Sequence, residues 1–443
     1  MAYYNSCEIR GGEDEVHVAD GMAGKAEGGW LNRRSLTWAG YDVASSVYFG
    51  IAPAVLLPLY FQKLLSGYAN PTSAWGLLAA AAILASSIAA LAAASLSARM
   101  SRLTLLNAAS AGLVLSIAAL AWPANPSLGL AAAAYVAAQS FYFAATSVYE
   151  SFLPDLLPAH WRQKLSGFGW AIGYTGGAFA IVILLLLVRG QAESTALMQD
   201  CLAVLAIVSA VFFVIVLTLM RREGFASLGE AAGGPQLWGV VAVLGQWRQH
   251  RGLYVLLAGT MLVHLAISVV ITFTAPILAS RFGQTLPDLL WLLLLVHVVS
   301  VPSTIGWNML MTGWSRLVPM ALLLAAWGVV LLILAFASGR YVPVVTVAVI
   351  GCCVGATASA LRGFLAEGVP PGSAPAFFAL ATVAGRVAAA LGPAVFALIT
   401  AFRGEQAALM AILLLLAGGA ALVLLHVARQ EVPFGYRASV NPD

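Results

Sequence analysis

The hydrophobic positions of this chain fall in long runs. Twelve apolar segments lie at roughly 36–64, 73–98, 103–122, 127–153, 162–189, 198–220, 252–280, 286–311, 316–337, 341–366, 373–400 and 405–428. A helix of about 20 such residues, rising ~1.5 Å per residue, crosses a hydrocarbon core ~30 Å thick. The breaks carry turn chemistry: Asn70-Pro71, Trp122-Pro123, Asn125-Pro126 and Pro370-Pro371. The longest polar interruption, 221–251, holds Arg221, Arg222, Arg248 and Arg251 and divides six segments from six.

The two sets of six resemble each other. Residues 144–180 read as a helix end with Glu150, a turn with Pro154, Pro158, Arg162 and Lys164, and a helix opening with Gly167, Gly169, Gly173, Gly176 and Gly177. An offset of 212 residues places Ser147 on Ser359, Phe152 on Phe364, Leu153 on Leu365, Pro158 on Pro370 and Gly173 on Gly385. Asp155 falls on Glu367 and keeps its charge, whereas Glu150 falls on Arg362. Such self-similarity over half a chain marks an internal repeat. The expected organisation is a disordered tail at 1–35, a six-helix bundle at 36–220, a linker at 221–251, a second bundle at 252–428 and a tail at 429–443.

Composition agrees with a polytopic membrane protein. Only 9% of the residues are charged and 61% are hydrophobic, with a mean hydropathy of +0.91. A soluble domain carries about 25% charge. The net charge of +4 comes from scattered basic residues, and no patch suited to nucleic acid is visible. Cys7, Cys201, Cys352 and Cys353 have no metal-ligand spacing and suggest no disulfide framework. The first 30 residues lack the apolar core of a signal peptide. With the N-terminus in the cytoplasm, fifteen Lys and Arg fall on the cytoplasmic side and five on the outer side. The strong bias makes that the expected orientation, and an even helix count returns the C-terminus to the same side.

Six helices, a basic linker and six similar helices is the plan of the major facilitator superfamily. Its halves are related by an axis along the membrane normal, and substrate binds near the midplane between them. Within that plan three stretches are similar to the vacuolar effluxer family linked to autophagy and to its bacterial relatives. The first runs from Trp38 through Tyr41-Asp42 to Ser46, with Pro58, Tyr60 and Phe61. The second runs from Tyr149 to Gly177, and the third from Gly385-Arg386 to Leu391-Gly392-Pro393. The chain departs from the family at Ser45, at Glu150, at Ala358 and Leu361-Arg362-Gly363, at Ala376-Phe377-Phe378-Ala379, and at Ala98, where the superfamily usually has Asp. The resemblance implies amino-acid efflux, and the departures in the tenth helix bear on substrate and ion coupling.

Ionisable residues inside apolar helices are functional hypotheses by default. Toward the cytoplasmic ends lie Asp42, Glu150 and Arg362. In the superfamily plan helices 1, 4, 7 and 10 line the cavity, so Glu150 and Arg362 face each other across the pseudo-twofold axis and suit a closing latch. The alternatives are groups resting at headgroup depth, or a proton relay through Asp42 or Glu150. Nearer the midplane lie Arg386, His264 and His297, with Gln139, Tyr135, Tyr142, Tyr48 and Tyr174. An arginine at mid-membrane costs about 3 kcal/mol by insertion scales, so Arg386 should face the cavity and hold an anion through its planar fork, or be tied to backbone carbonyls. His264 could couple protons or simply pack, and His297 is expected to pack. Gly169, Gly173 and Gly177 are spaced for close helix approach.

No nucleophile–base set, metal cluster or phosphate loop is visible, so an enzyme is disfavoured and no cofactor is expected. The reading is a secondary transporter of a small solute, by the family resemblance an amino acid or related zwitterion or anion. Its partners would be that solute, the lipid bilayer and, where transport is ion-coupled, protons; a monomer is expected. The membrane would be the plasma membrane in a bacterium or the vacuolar membrane in a fungus. A lipid or drug exporter, and a membrane sensor or assembly factor that does not transport, remain the alternatives.

Overall fold

The computed structural model describes residues 30–97, 99–122, 127–227, 244–311, 315–369 and 374–431. Most of the expected tails, the middle of the linker, Ala98, Asn125-Pro126 and Pro370-Pro371 lie outside them, as do the side chains of Glu367, Ala376, Phe378 and Ala379. Among the described residues twelve helices are long and apolar enough to cross a membrane. They are α1 (Arg33–Leu64), α2 (Pro71–Leu96), α3 (Arg102–Ala121), α4 (Leu128–Glu150), α5 (Ala159–Val188) and α6 (Thr195–Arg222), then α7 (Arg251–Phe282), α8 (Leu286–Met311), α9 (Leu317–Phe336), α10 (Val342–Gly368), α11 (Ala374–Arg403) and α12 (Glu405–Glu431). The protein is a multi-pass integral membrane protein.

Local chemistry sets the helix ends. Side chains of Asn32, Asn70, Ser127 and Ser194 accept from backbone N–H groups in the first turns of α1, α2, α4 and α6, satisfying donors that have no intrahelical partner. Gly283 ends α7 in the left-handed region, at φ 63°, where a side chain would be strained. Two helices differ from expectation. α4 stops at Glu150, so this residue is the last of its helix and not a turn short of its end. α1 is not one regular helix: Arg33–Phe49 gives way to a π turn at Ala52–Leu56, and α-helix resumes at Leu57. Pro53 has no N–H to continue the ladder, which accounts for a break at this place.

The packing repeats with a shift of six helices. In the first half α1 packs on α5 and α6, α2 on α4, and α3 on α4 and α6. In the second half α7 packs on α11 and α12, α8 on α10, and α9 on α10 and α12. The main seams between halves, α2–α11 and α5–α8, map onto each other under the same shift. Because six is even, equivalent helices run in the same direction, which requires an axis along the membrane normal.

One face of the bundle carries the start of α1 and the segment between α6 and α7; it is called here the terminal face. On the opposite face the halves are closed. The Leu57–Leu64 part of α1 packs against α7. Glu193, in the turn before α6, pairs with Lys63 at 3.3 Å and accepts the backbone N–H of Leu286, at the start of α8, at 3.3 Å. Ser73 of α2 donates to the carbonyl of Ala397 on α11 at 2.8 Å.

Candidate functional site: a cavity between the halves

A cavity of about 350 Å³ lies between the halves, walled by α1, α4, α5, α7, α8 and α10. Its α7, α8 and α10 walls are mostly apolar, with Ile267, Val270, Ile271, Leu292, Leu293 and Ile350 prominent. Polar groups come mainly from the first half: Asp42, Ser45, Ser46, Tyr142 and Tyr174. The second half adds His264, His297, Thr274 and Thr357.

Asp42 is the carboxylate of this lining. The Tyr149 hydroxyl donates to its Oδ2 at 2.8 Å. Tyr149 is held in turn, stacked between Trp38 (4.5 Å) and Tyr41 (4.7 Å), with its carbonyl accepting from the Trp38 indole at 3.1 Å. On the other side Asp42 faces the bare backbone of α5: a Cβ at Gly169 would strike its Oδ2, and one at Gly173 would lie 3.3 Å from its Cβ. The two sequence stretches Trp38–Ser46 and Tyr149–Gly177 therefore meet around one carboxylate. Asp42 has no ion-pair partner among the described residues.

The remaining expected site residues fall into three groups. Tyr142, Tyr174 and His264 join Asp42 in the lining. The His264 Nδ1 lies 2.8 Å from the Thr260 carbonyl of its own helix. Tyr48 and Gln139 are brought together, the hydroxyl donating to Gln139 Oε1 at 2.9 Å. Both are buried in the packing of the first half, outside the lining.

Glu150, Arg362 and Arg386 form the third group, also outside the lining but near one another in the gap between the halves. Glu150 feels the fields of both arginines. Arg386 on α11 lies 4.5 Å above the ring of Phe143 on α4, and its Nη1 is shut from solvent without a hydrogen-bond partner. Arg362 on α10 bonds the Ala358 carbonyl of its own helix at 3.2 Å and lies 5.8 Å from the Trp170 ring of α5. Glu150 and Arg362 form no ion pair, and both are exposed although they face the other half. Trp170 is likewise 47% exposed, so the halves part toward the terminal face.

Reading the sequence alone missed several contributors. Phe143, Trp170 and Tyr149 hold the charged groups named above, yet an aromatic in an apolar run carries no mark of that role. His297 is buried, as expected of a packing residue, but it also lines the cavity and meets Tyr174 edge-on at 5.5 Å. It reaches the cavity because α8 packs directly on α5.

The family model described as vacuole effluxer Atg22 like matches residues 77–432. The chain belongs to this family. Its fold is shared with solved transporters of the major facilitator type. A single-site mutant of the nucleoside transporter NupG superposes with a TM-score of 0.67 at 13% identity, over 89% of this chain and 99% of that one. A bacterial homologue of the human lysosomal transporter Spinster, in an inward-facing and unoccupied conformation, gives 0.63 at 14% identity, over 89% and 96%. The D-xylose–proton symporter gives 0.63 at 16% identity, over 88% and 96%. None of the curated proteins matches the chain. The family, the fold and the cavity together make the protein a transporter of the major facilitator type.

Proposed function

We propose that the protein is a secondary transporter that moves an amino acid with an apolar side chain by alternating access. What carries this reading is a pair of unsatisfied charges in and beside the cavity. Asp42 has no cationic partner among the described residues, and Arg386 holds Nη1 with no acceptor. A zwitterion would supply an ammonium to the first and a carboxylate to the second, while its side chain lies against α7 and α8. The volume is at the small end of the ~300–1,000 Å³ typical of small-molecule sites, which suits such a solute. In the proposed orientation the terminal face is cytoplasmic, as the fifteen-to-five distribution of basic residues supports, and the cavity described here is the inward-facing one.

A second reading has its own observation. The lining is mainly apolar and does not include Arg386, which suits an exporter of lipophilic amines that would need Asp42 alone. Flux into proteoliposomes separates the two. Radiolabelled leucine should be carried by wild type and lost in both Asp42→Asn and Arg386→Gln. Carriage of a lipophilic amine that survives Arg386→Gln, with no leucine flux, would establish the second reading instead. Binding without flux of either probe would point to a sensor.

A further inference from the structure

His297 sits where the second half of the molecule enters the first. Its Nδ1 lies 2.9 Å from the Leu293 carbonyl, one turn back on α8. A carbonyl only accepts, so Nδ1 carries the proton, and Nε2 is turned across the seam. There α1 and α5 both present glycine. A Cβ at Gly50 would lie 2.9 Å from Nε2, and one at Gly177 would lie 2.6 Å from it. Any larger residue at either position would expel the ring. The Tyr174 ring closes the side of this notch, edge-on at 5.5 Å.

The notch fits the neutral imidazole. Nε2 makes no hydrogen bond among the described residues. The ionisable groups that share the cavity lining with His297 are Asp42 on α1, Tyr142 on α4, Tyr174 on α5 and His264 on α7, and α10, which packs on α8, adds Cys352 and Cys353. Asp42, the one carboxylate among them, lies two helical turns along α1 from Gly50 and is already engaged by Tyr149. A second N–H at Nε2 would therefore bring a charge into a tight, largely apolar place without a counter-charge.

We propose that His297 is a proton-binding residue of the transport cycle, seated neutral in the Gly50–Gly177 notch in this conformation and taking up its proton when α8 leaves α5. The inference rests on the transporter reading, but the seam itself can be tested without a solute. Backbone hydrogen–deuterium exchange of the purified full chain in detergent is followed at acidic and neutral pH, with intrinsic rates corrected, in peptides spanning 170–181 and 291–301.

Wild type should exchange several-fold faster in both peptides at acidic pH, and His297→Gln should abolish that difference while staying folded. Asp42→Asn should keep it. A difference that survives His297→Gln, or none in wild type, overturns the proposal. In proteoliposomes carrying leucine, His297→Gln should lose accumulation driven by an imposed pH gradient, and lose a larger share of it than of counterflow exchange. Gradient-driven accumulation by this variant would also overturn the proposal. Absence of leucine flux in every variant would count against the transporter reading alone, leaving the exchange result to decide on His297.

Discussion

Gly176 on α5 has no room for a side chain: a Cβ there would meet the backbone carbonyl of Val43 on α1. Backbone cannot swing aside as a flexible side chain can, so Gly176→Ala must push the two helices apart. Overpacking of this kind costs about 1–3 kcal/mol, and the melting temperature in detergent should fall by several degrees. Gly167, with nothing within 4 Å of its Cβ position, should tolerate Ala without loss. Equal effects at both sites would contradict the α1–α5 packing. Arg102 shows a second constraint of this size. Its side chain is 3% exposed, its Nη2 lies 2.5 Å from Asp155 Oδ2, and its Nη1 donates to the Ser151 carbonyl at 2.7 Å. Removing one partner of a buried pair costs about 3–5 kcal/mol. The Asp155 side chain is 41% exposed, so water reaches this pair and the expected cost of Asp155→Ala is nearer ~2 kcal/mol. A thermal unfolding profile unchanged in this variant would mean that the turn after α4 does not depend on the bridge.

At the scale of helices, the seams rest more on close approach than on polar contacts. The hydrogen bond from Ser73 to Ala397 spans α2 and α11 at 2.8 Å, yet such bonds inside membranes average only ~0.6 kcal/mol. Gly76, on the same helix, would place a Cβ 2.8 Å from Phe273 and 2.9 Å from both Ala397 and the Pro393 carbonyl. Gly76→Ala should therefore lower the melting temperature more than Ser73→Ala; the reverse order would make the hydrogen bond the dominant contact of the seam. The same physics explains what could be read from the sequence. Twelve apolar runs were visible because hydrocarbon leaves no other way to satisfy a spanning backbone, and the α5 glycines were visible because close approach demands them. The π turn after Phe49 was not, since a one-residue shift in hydrogen bonding leaves composition unchanged. Nor was the notch for His297, because Gly50, Gly177 and His297 lie on three helices that only the fold brings together. Asp42 was found as an ionisable group in an apolar run, whereas its partner Tyr149 looked like any other aromatic.

The whole molecule is a balance between two ends of one seam. On the opposite face Glu193 ties Lys63 to the start of α8; on the terminal face Glu150 and Arg362 stand unpaired. If the halves rock about the cavity, the first set must part as the second closes, and each end biases the same equilibrium. A coupling between states is typically about 1–3 kcal/mol. Lys63 and Glu193 are each about a third exposed, which holds their pair near ~1 kcal/mol, a few-fold change in population. Glu193→Gln should thus move the molecule toward a form closed on the terminal face. Glu150→Gln should move it the other way, by removing the carboxylate that Arg362 would meet on closure. The double variant should return close to wild type, since sites at opposite ends of the bundle add, and the swap of Glu150→Arg with Arg362→Glu should restore the balance that either single change upsets. A cysteine at Gly167, exposed one turn from Trp170, reports the terminal mouth. Its alkylation rate should fall in Glu193→Gln, rise in Glu150→Gln, and return in the double variant and the swap. Rates that are the same in all of these proteins would reduce both charge sets to surface groups with no hold on the cycle.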